Sequence, residues 1–233
     1  MEFDFPQRGR SRRRATHRAA RCPCTAVDEA RKLLDASQSS RYEAVYALAL
    51  STGARRGEVL GLTWTDIDLE NSRVSITRSL QRIGGRLQLV ETKTPKSRRT
   101  IPLPQYAVRA LRAHRARQAE QRLAAGSSWV DQGLVFTNRA GGFIEPVNLL
   151  RDFRRLLKNA GLQTMKLHDL RHGAATLMLR EGVPLKMIQE LLGHSSIAVT
   201  SNFYAHLDEE FKRQGADAMD RILGEHPAHI RSV

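Results

Sequence analysis

The sequence has little cysteine, few aromatic residues and no long apolar run. Only Cys22 and Cys24 are cysteines among 233 residues, and aromatic residues make up 6% of the chain. Two thiols cannot complete a zinc site, and no secretory signal favours a disulfide, so we interpret both as incidental. No apolar stretch approaches the roughly 18 residues of a membrane span, and we therefore expect a cytoplasmic protein with no membrane segment.

Acidic residues are scarce relative to basic ones. Lys and Arg number 38 against 24 Asp and Glu, which gives a formal net charge of +14 at pH 7. This balance favours a polyanionic partner, usually nucleic acid, although a ribosomal or membrane-surface protein would share it. The 41% hydrophobic content is sufficient for a sizeable core, so we expect a folded domain.

Residues 1–24 differ from the rest of the chain. They hold seven arginines against two acidic residues and show no apolar period. We expect a basic, disordered leader here, with a phosphate-binding arm as the alternative interpretation. One ordered domain, ending in a C-terminal helix, is expected over residues 25–233.

Apolar periodicity and glycine stops predict helices through most of that domain. Ser40 has capping-box spacing to Glu43 and is expected to open the helix that ends at Gly53. Helices are predicted over these ranges: 28–36, 40–53, 55–62, 104–125, 146–161, 169–181, 184–192, about 196–204 and 208–223.

The middle of the chain changes to a period of two. Residues 74–76 and 87–89 alternate between apolar and polar on either side of a Gly-Gly pair, which predicts two strands joined by a turn. A third strand is predicted at 100–103, after a basic turn at 93–99. We therefore expect a mainly α protein with a small antiparallel three-stranded sheet, an α+β fold.

Residues that could take part in catalysis are concentrated between 164 and 206. His168 and Arg171 share a helical face, His194 follows a helix stop, and Tyr204 lies ten residues later. Histidines can move protons, an arginine can hold an anion and a tyrosine can act as a nucleophile, so this is a candidate phosphoryl-transfer segment. Each residue also has an ordinary alternative, such as a helix cap or a core tyrosine.

A further candidate pair lies upstream. Arg55 follows the helix stop at Gly53, and Glu58 lies one turn further on. The arginine could clamp a phosphate while the carboxylate orients it. The ordinary alternative is a helical i, i+3 ion pair.

Five segments together resemble a known family, in its usual order. They are 52–58 (TGARRGE), 93–103 (KTPKSRRTIPL), 167–172 (LHDLRH), 191–195 (LLGHS) and 200–206 (TSNFYAH). Through them the chain resembles the tyrosine recombinase (phage integrase) family over about residues 25–224. The resemblance implies the family's catalytic-domain fold, double-stranded DNA as partner, a bacterial or phage origin, and a site-specific recombinase acting in DNA integration or excision.

The resemblance also implies roles for the matching residues. Tyr204 would attack a DNA phosphodiester, giving a 3′-phosphotyrosyl link and a free 5′-hydroxyl. Arg55 and Arg171 would clamp the non-bridging oxygens. His168 would take the tyrosine proton, and His194 would donate a hydrogen bond to the phosphate. These cationic groups can stabilise the transition state without a metal or ATP, so no cofactor is expected.

Four other residues have catalytic, supporting or alternative roles. By the resemblance, Lys93 would protonate the leaving 5′ oxygen, while Glu58 and His172 would be supporting residues. Lys96 lies in the same basic turn and is the alternative general acid.

The chain departs from the family pattern at its beginning. Family members usually carry a separate DNA-clamping helical domain before the catalytic one, where this chain has the basic leader. A truncated product, an excised domain and a naturally short member are all open explanations. We expect a monomer in free solution and a tetramer on paired DNA sites.

Three functions stay open from the sequence. The first is integrase-type strand transfer, and the second is a type IB topoisomerase-like relaxing activity with the same chemistry. The third is a DNA-binding module without catalysis, since helices 184–192 and 196–204 have roughly helix-turn-helix spacing.

Overall fold

The computed structural model describes residues 26–38, 40–92 and 98–193, together with 213, 217, 219 and 221. The predicted helix at 196–204 and the leader at 1–24 lie outside the described residues. Of the predicted helix at 208–223, only residues 213, 217, 219 and 221 are described, and all four are helical. Within that part the α-helices are α1 Val27–Ser37, α2 Glu43–Thr52, α3 Arg56–Leu60, α4 Gln105–Ala125, α5 Pro146–Asn159, α6 Asp169–Arg180 and α7 Leu185–Leu192. The strands are β1 Ile67–Asp68, β2 Arg73–Ile76, β3 Arg78–Ile83, β4 Arg86–Glu91 and β5 Arg99–Pro102.

The mainly α architecture with small antiparallel sheets is confirmed, but the predicted strand pairing is wrong. The three-stranded sheet has the order β1-β2-β5, with Val74 opposite Ile101. The Gly-Gly turn instead joins β3 to β4 in a separate hairpin, where Ile83 lies opposite Arg86. Because a two-residue turn fixes the register of the strands beside it, residues 87–89 must pair with 80–82 and not with 74–76.

Helix α2 is the centre of the core. Every residue from 44 to 50 is buried, because α1, α3, α4 and α6 pack around it. A helix that is apolar on all sides is stable only in such an enclosed position. Several elements therefore hold the end of α2 in place, and this fixes the position at which residues 53–55 leave the helix.

The start of α2 differs from the capping-box prediction. Tyr42, not Ser40, is the N-cap residue, and it makes no side-chain cap bond. The Ser40 hydroxyl accepts a hydrogen bond from the Tyr42 backbone N–H at 3.0 Å and donates to Asp152 Oδ2 at 2.7 Å. The serine is therefore used to attach α5 to this turn.

Two other features of the helices agree with the sequence. Pro146 occupies the first turn of α5, as its fixed φ and missing N–H favour. The described helices include none that is both long enough and apolar enough to cross a bilayer.

Candidate active site

Three helix ends meet at Gly53, immediately before Arg55. Gly53 ends α2 in the left-handed conformation, with φ of 62°. Its carbonyl accepts a hydrogen bond from Arg171 Nη1 of α6 at 2.6 Å. A Cβ at this position would lie 2.2 Å from Leu192 Cδ2 of α7, so only glycine permits both the turn and the close packing.

Arg55 is fixed by Glu58 in a reciprocal arrangement at the start of α3. Glu58 accepts hydrogen bonds from the Arg55 backbone N–H at 2.9 Å and from Arg55 Nη1 at 2.7 Å. Burial of the Glu58 carboxyl would raise its pKa, but hydrogen bonds and charge from Arg99 and Arg55 hold that pKa below its ordinary value. The pair is thus an i, i+3 ion pair, and its carboxylate is buried.

Arg99 is the residue that sequence reasoning missed. Arg99 Nη2 donates to Glu58 Oε2 at 2.8 Å, and Arg99 Nε donates to the Leu191 carbonyl at 2.7 Å. Only 7% of its side chain is exposed. The available signal was strand alternation, since Arg99 lies two residues before the buried Ile101 and so faces the same side of β5.

His168 and His172 form an edge-to-face pair at the start of α6. Their ring centroids are 5.0 Å apart and the rings are nearly perpendicular. Burial, with the nearby charges of Arg171 and Arg55, lowers the pKa of His168 below 6.5. Burial and His168 likewise lower the pKa of His172. Both rings therefore favour the neutral form near pH 7.

A large groove opens beside Arg55 and His168. We call it the basic groove: it has a volume of about 1280 Å³ and lies between the β3–β4 hairpin, α5 and the segment 164–169. Its apolar lining includes Leu80, Phe153 and Met165. Its cationic lining residues are Arg55, Arg56, Arg82, Arg154 and Lys166, and the His168 ring lines it as well.

The structure brings several predicted site residues together and leaves others undescribed. Arg171 binds the Gly53 carbonyl two residues before Arg55, the charges of Arg171 and Arg55 act on His168, and His172 contacts His168. Lys93, Lys96, His194 and Tyr204 lie outside the described residues, although α7 ends at Gly193, directly before His194. In the described part of the chain, no group of three or more His, Cys, Asp or Glu could hold a metal ion.

Solved structures with the same fold come from DNA recombinases. The XerA recombinase matches with a TM-score of 0.64 and 27% identity, covering 81% of this chain and 64% of that one. The Tn1549 transposon integrase, in complex with transposon right end DNA, matches with a TM-score of 0.66 and 26% identity. That match covers 82% of this chain and 65% of the integrase. The expected tyrosine recombinase catalytic-domain fold is confirmed.

Sequence relatives point to one family. The tyrosine recombinase XerC-like protein of Caldanaerobacter subterraneus subsp. tengcongensis is 37% identical over 208 residues, which are 84% of this chain and 53% of that protein. An integrase of Streptomyces ambofaciens is 36% identical over 212 residues, 86% of this chain and 53% of the integrase. The chain thus spans about half the length of these relatives. The model of the phage integrase family matches residues 24–210. The chain belongs to the phage integrase family.

Proposed function

We propose that the protein cleaves and rejoins DNA strands as a site-specific recombinase, through a covalent 3′-phosphotyrosyl intermediate. The observation that carries this proposal is that Arg55 and His168 line the basic groove, while Arg171 binds the Gly53 carbonyl two residues before Arg55. Relatives named as tyrosine recombinases and integrases support it. Double-stranded DNA is the substrate, and the surplus of basic residues suits its phosphates.

Arg55 and Arg171 form the proposed phosphate clamp. A planar guanidinium can bind two phosphate oxygens, and a rigidly held one loses little entropy when it does so. Glu58 orients Arg55, and the Gly53 carbonyl orients Arg171. In the transition state, where negative charge grows at phosphorus, two preorganised cations stabilise the reacting group.

His168 is the proposed general base. A tyrosine with a pKa near 10 needs a proton acceptor to attack near neutral pH. The lowered pKa of His168 keeps its imidazole neutral there and able to accept the Tyr204 proton. His172, packed against the His168 ring, supports its orientation.

The remaining roles belong to residues outside the described part. Tyr204 is the proposed nucleophile, and His194 donates a hydrogen bond to the phosphate. Lys93 protonates the leaving 5′ oxygen, with Lys96 as the alternative. ATP is not needed, because the phosphotyrosyl bond keeps the energy of the broken phosphodiester for religation. A metal is not needed, because the arginines and histidines stabilise the charge of the transition state.

Two further properties complete the proposal. The protein is a monomer in free solution and forms a tetramer on paired DNA sites. It acts on DNA in the cytoplasm of a bacterial cell.

A covalent-adduct gel tests the proposed chemistry. The protein is incubated with a nicked duplex in EDTA, so that the cleaved end diffuses away and traps the linked enzyme. We expect an adduct that resists denaturation and disappears after protease treatment. A retarded complex on a native gel without any adduct would mean that the protein binds DNA without cleaving it. An adduct that requires added magnesium would refute the metal-independent mechanism.

A further inference from the structure

Arg99 connects two parts of the candidate site that are distant in sequence. On one side its guanidinium bonds both Glu58 oxygens, at 2.8 Å from Nη2 and 3.4 Å from Nη1. On the other side its Nε donates to the Leu191 carbonyl near the C-terminal end of α7. One buried side chain therefore bridges the carboxylate that holds Arg55 and the helix that leads to residue 194.

The end of α7 is a favourable place for these cations. The last carbonyls of a helix have no partners within it, and they carry the negative end of the helix dipole. Arg99 binds the Leu191 carbonyl, and Arg55 Nη2 approaches the Gly193 carbonyl at 3.4 Å. Gly193 turns the chain at φ of 68°, and a Cβ there would lie 3.0 Å from Arg99 Nη1. Arg99 thus packs directly against the turn.

We propose that Arg99 is a positioning residue that fixes Arg55 and the C-terminal end of α7 relative to each other. Glu58 receives Arg55 on one side and Arg99 on the other, so the guanidinium of Arg99 limits where the carboxylate can lie. The same guanidinium holds the α7 end. This inference rests on the proposed strand cleavage. It assigns Arg99 no contact with DNA, so Arg99 would act on cleavage only through Arg55 and α7.

Arg99→Lys is the informative substitution. Lysine keeps the charge, but its single ammonium cannot reproduce the planar fork that reaches Glu58 and Leu191 together. We expect DNA affinity and the thermal midpoint to change little. The single-turnover cleavage rate at saturating enzyme should fall about 10- to 100-fold, as a displacement of about 1 Å in a site can cause.

Arg78→Lys is the matched control. Arg78 pairs with Asp66 at 3.1 Å in a partly buried ion pair that does not involve α7 or Glu58. Its substitution should lower stability at least as much as Arg99→Lys while leaving the cleavage rate near that of the wild type. A rate loss in Arg78→Lys equal to that in Arg99→Lys would show a general effect of weakened ion pairs and overturn the proposal.

Hydrogen exchange supplies a readout that does not depend on activity. Amides of a peptide covering 185–193 should exchange faster in Arg99→Lys than in the wild type and in Arg78→Lys. Wild-type cleavage by Arg99→Lys, or unchanged exchange at 185–193, would overturn the positioning role. If the wild-type protein forms no adduct, the proposed cleavage fails, and the exchange comparison alone still decides whether Arg99 holds the end of α7.

Discussion

At the scale of single residues, the site is organised by one buried carboxylate between two arginines. Glu58 is 3% exposed, and removing it would leave Arg99, itself largely buried, without this counter-charge. Breaking a buried ion pair from one side is costly because the remaining charge loses its compensation. A lone sequence motif could not show this, since an arginine and a glutamate three residues apart are more often a surface pair.

The pH dependence of cleavage follows from the lowered pKa of His168. A general base works only when neutral, and the ordinary pKa of 6.5 is lowered here by burial and by Arg171. If His168 is the general base, as proposed, the acidic decline of the cleavage rate should therefore have its midpoint below pH 6.5, as the ring takes up a proton. Single-turnover rates on nicked DNA from pH 5 to 8 measure this.

His168→Gln and His172→Gln separate the two histidines, because both have a lowered pKa. We expect the acidic decline to be absent from the slower His168→Gln variant and retained in His172→Gln. If the acidic decline were lost in His172→Gln and retained in His168→Gln, the general base would be His172 and the assignment to His168 would be wrong.

Two substitutions test whether Lys93 or Lys96 protonates the leaving 5′ oxygen. Lys93→Ala should cleave normal DNA poorly, because the 5′ oxygen leaves unprotonated, and should recover on a 5′-bridging phosphorothiolate whose thiolate needs no proton. Lys96→Ala should mainly weaken binding and lower the salt slope by about one unit. Rescue of Lys96→Ala and not of Lys93→Ala would reverse the assignment.

At the scale of elements, the domain depends on helix ends that are fixed by buried polar contacts. Asp152 of α5 accepts hydrogen bonds from the Ser40 hydroxyl and from the buried Tyr46 hydroxyl of α2, at 2.7 and 2.9 Å. It also pairs with Arg155, whose side chain is 73% exposed. Burial and the charge of Asp152 raise the pKa of Tyr46, so its hydroxyl stays protonated and remains a donor.

Asp152→Ala should therefore destabilise the domain much more than Arg155→Ala. The first leaves the Tyr46 hydroxyl buried without this acceptor, which should lower the free energy of unfolding by about 1–3 kcal/mol. The second removes only an exposed partner and should cost less than about 1 kcal/mol. Urea unfolding followed by circular dichroism measures both, and equal losses would contradict a buried polar attachment of α5.

Helices were predictable from the sequence, and long-range pairing was not. Helix boundaries depend on local backbone conformation, which a few neighbouring residues determine. Gly53 and Gly193 follow the last residues of α2 and α7, and Pro146 begins α5. The pairing of β2 with β5 and the burial of Arg99 depend on residues distant in sequence, Val74 for Ile101 and Glu58 for Arg99, and no local pattern specifies them. Alternation in β5 places Arg99 on the same face as the buried Ile101, but the sequence pattern predicts Arg99 in the basic turn at 93–99 and a strand that begins at residue 100.

At the scale of the whole molecule, the basic groove is lined both by apolar side chains and by basic ones, with Arg55 and His168 among its lining residues. The surplus of positive charge, +14 over the chain, favours approach of a polyanion from many directions. Charge alone would give binding without cleavage. The proposed catalysis rests instead on the cluster of Arg55, Arg171 and His168.

The C-terminal segment is proposed to join protomers on paired DNA sites. Deleting residues 208–233 should abolish higher-order assembly on DNA and alter cleavage, while binding to a single duplex is largely retained. Gel shifts and light scattering of the protein–DNA complex report both properties. Unchanged assembly in the deletion would show that this segment does not link subunits.

The central claim is that Tyr204 becomes covalently joined to DNA, and Tyr204→Phe tests it most directly. The substitution removes one hydroxyl, so duplex affinity and thermal midpoint should stay close to those of the wild type. On nicked DNA in EDTA, the wild-type protein should give an adduct whose modified peptide, by mass spectrometry, contains residue 204, and Tyr204→Phe should give none. An adduct that persists in Tyr204→Phe, or that maps to another residue, would contradict the account.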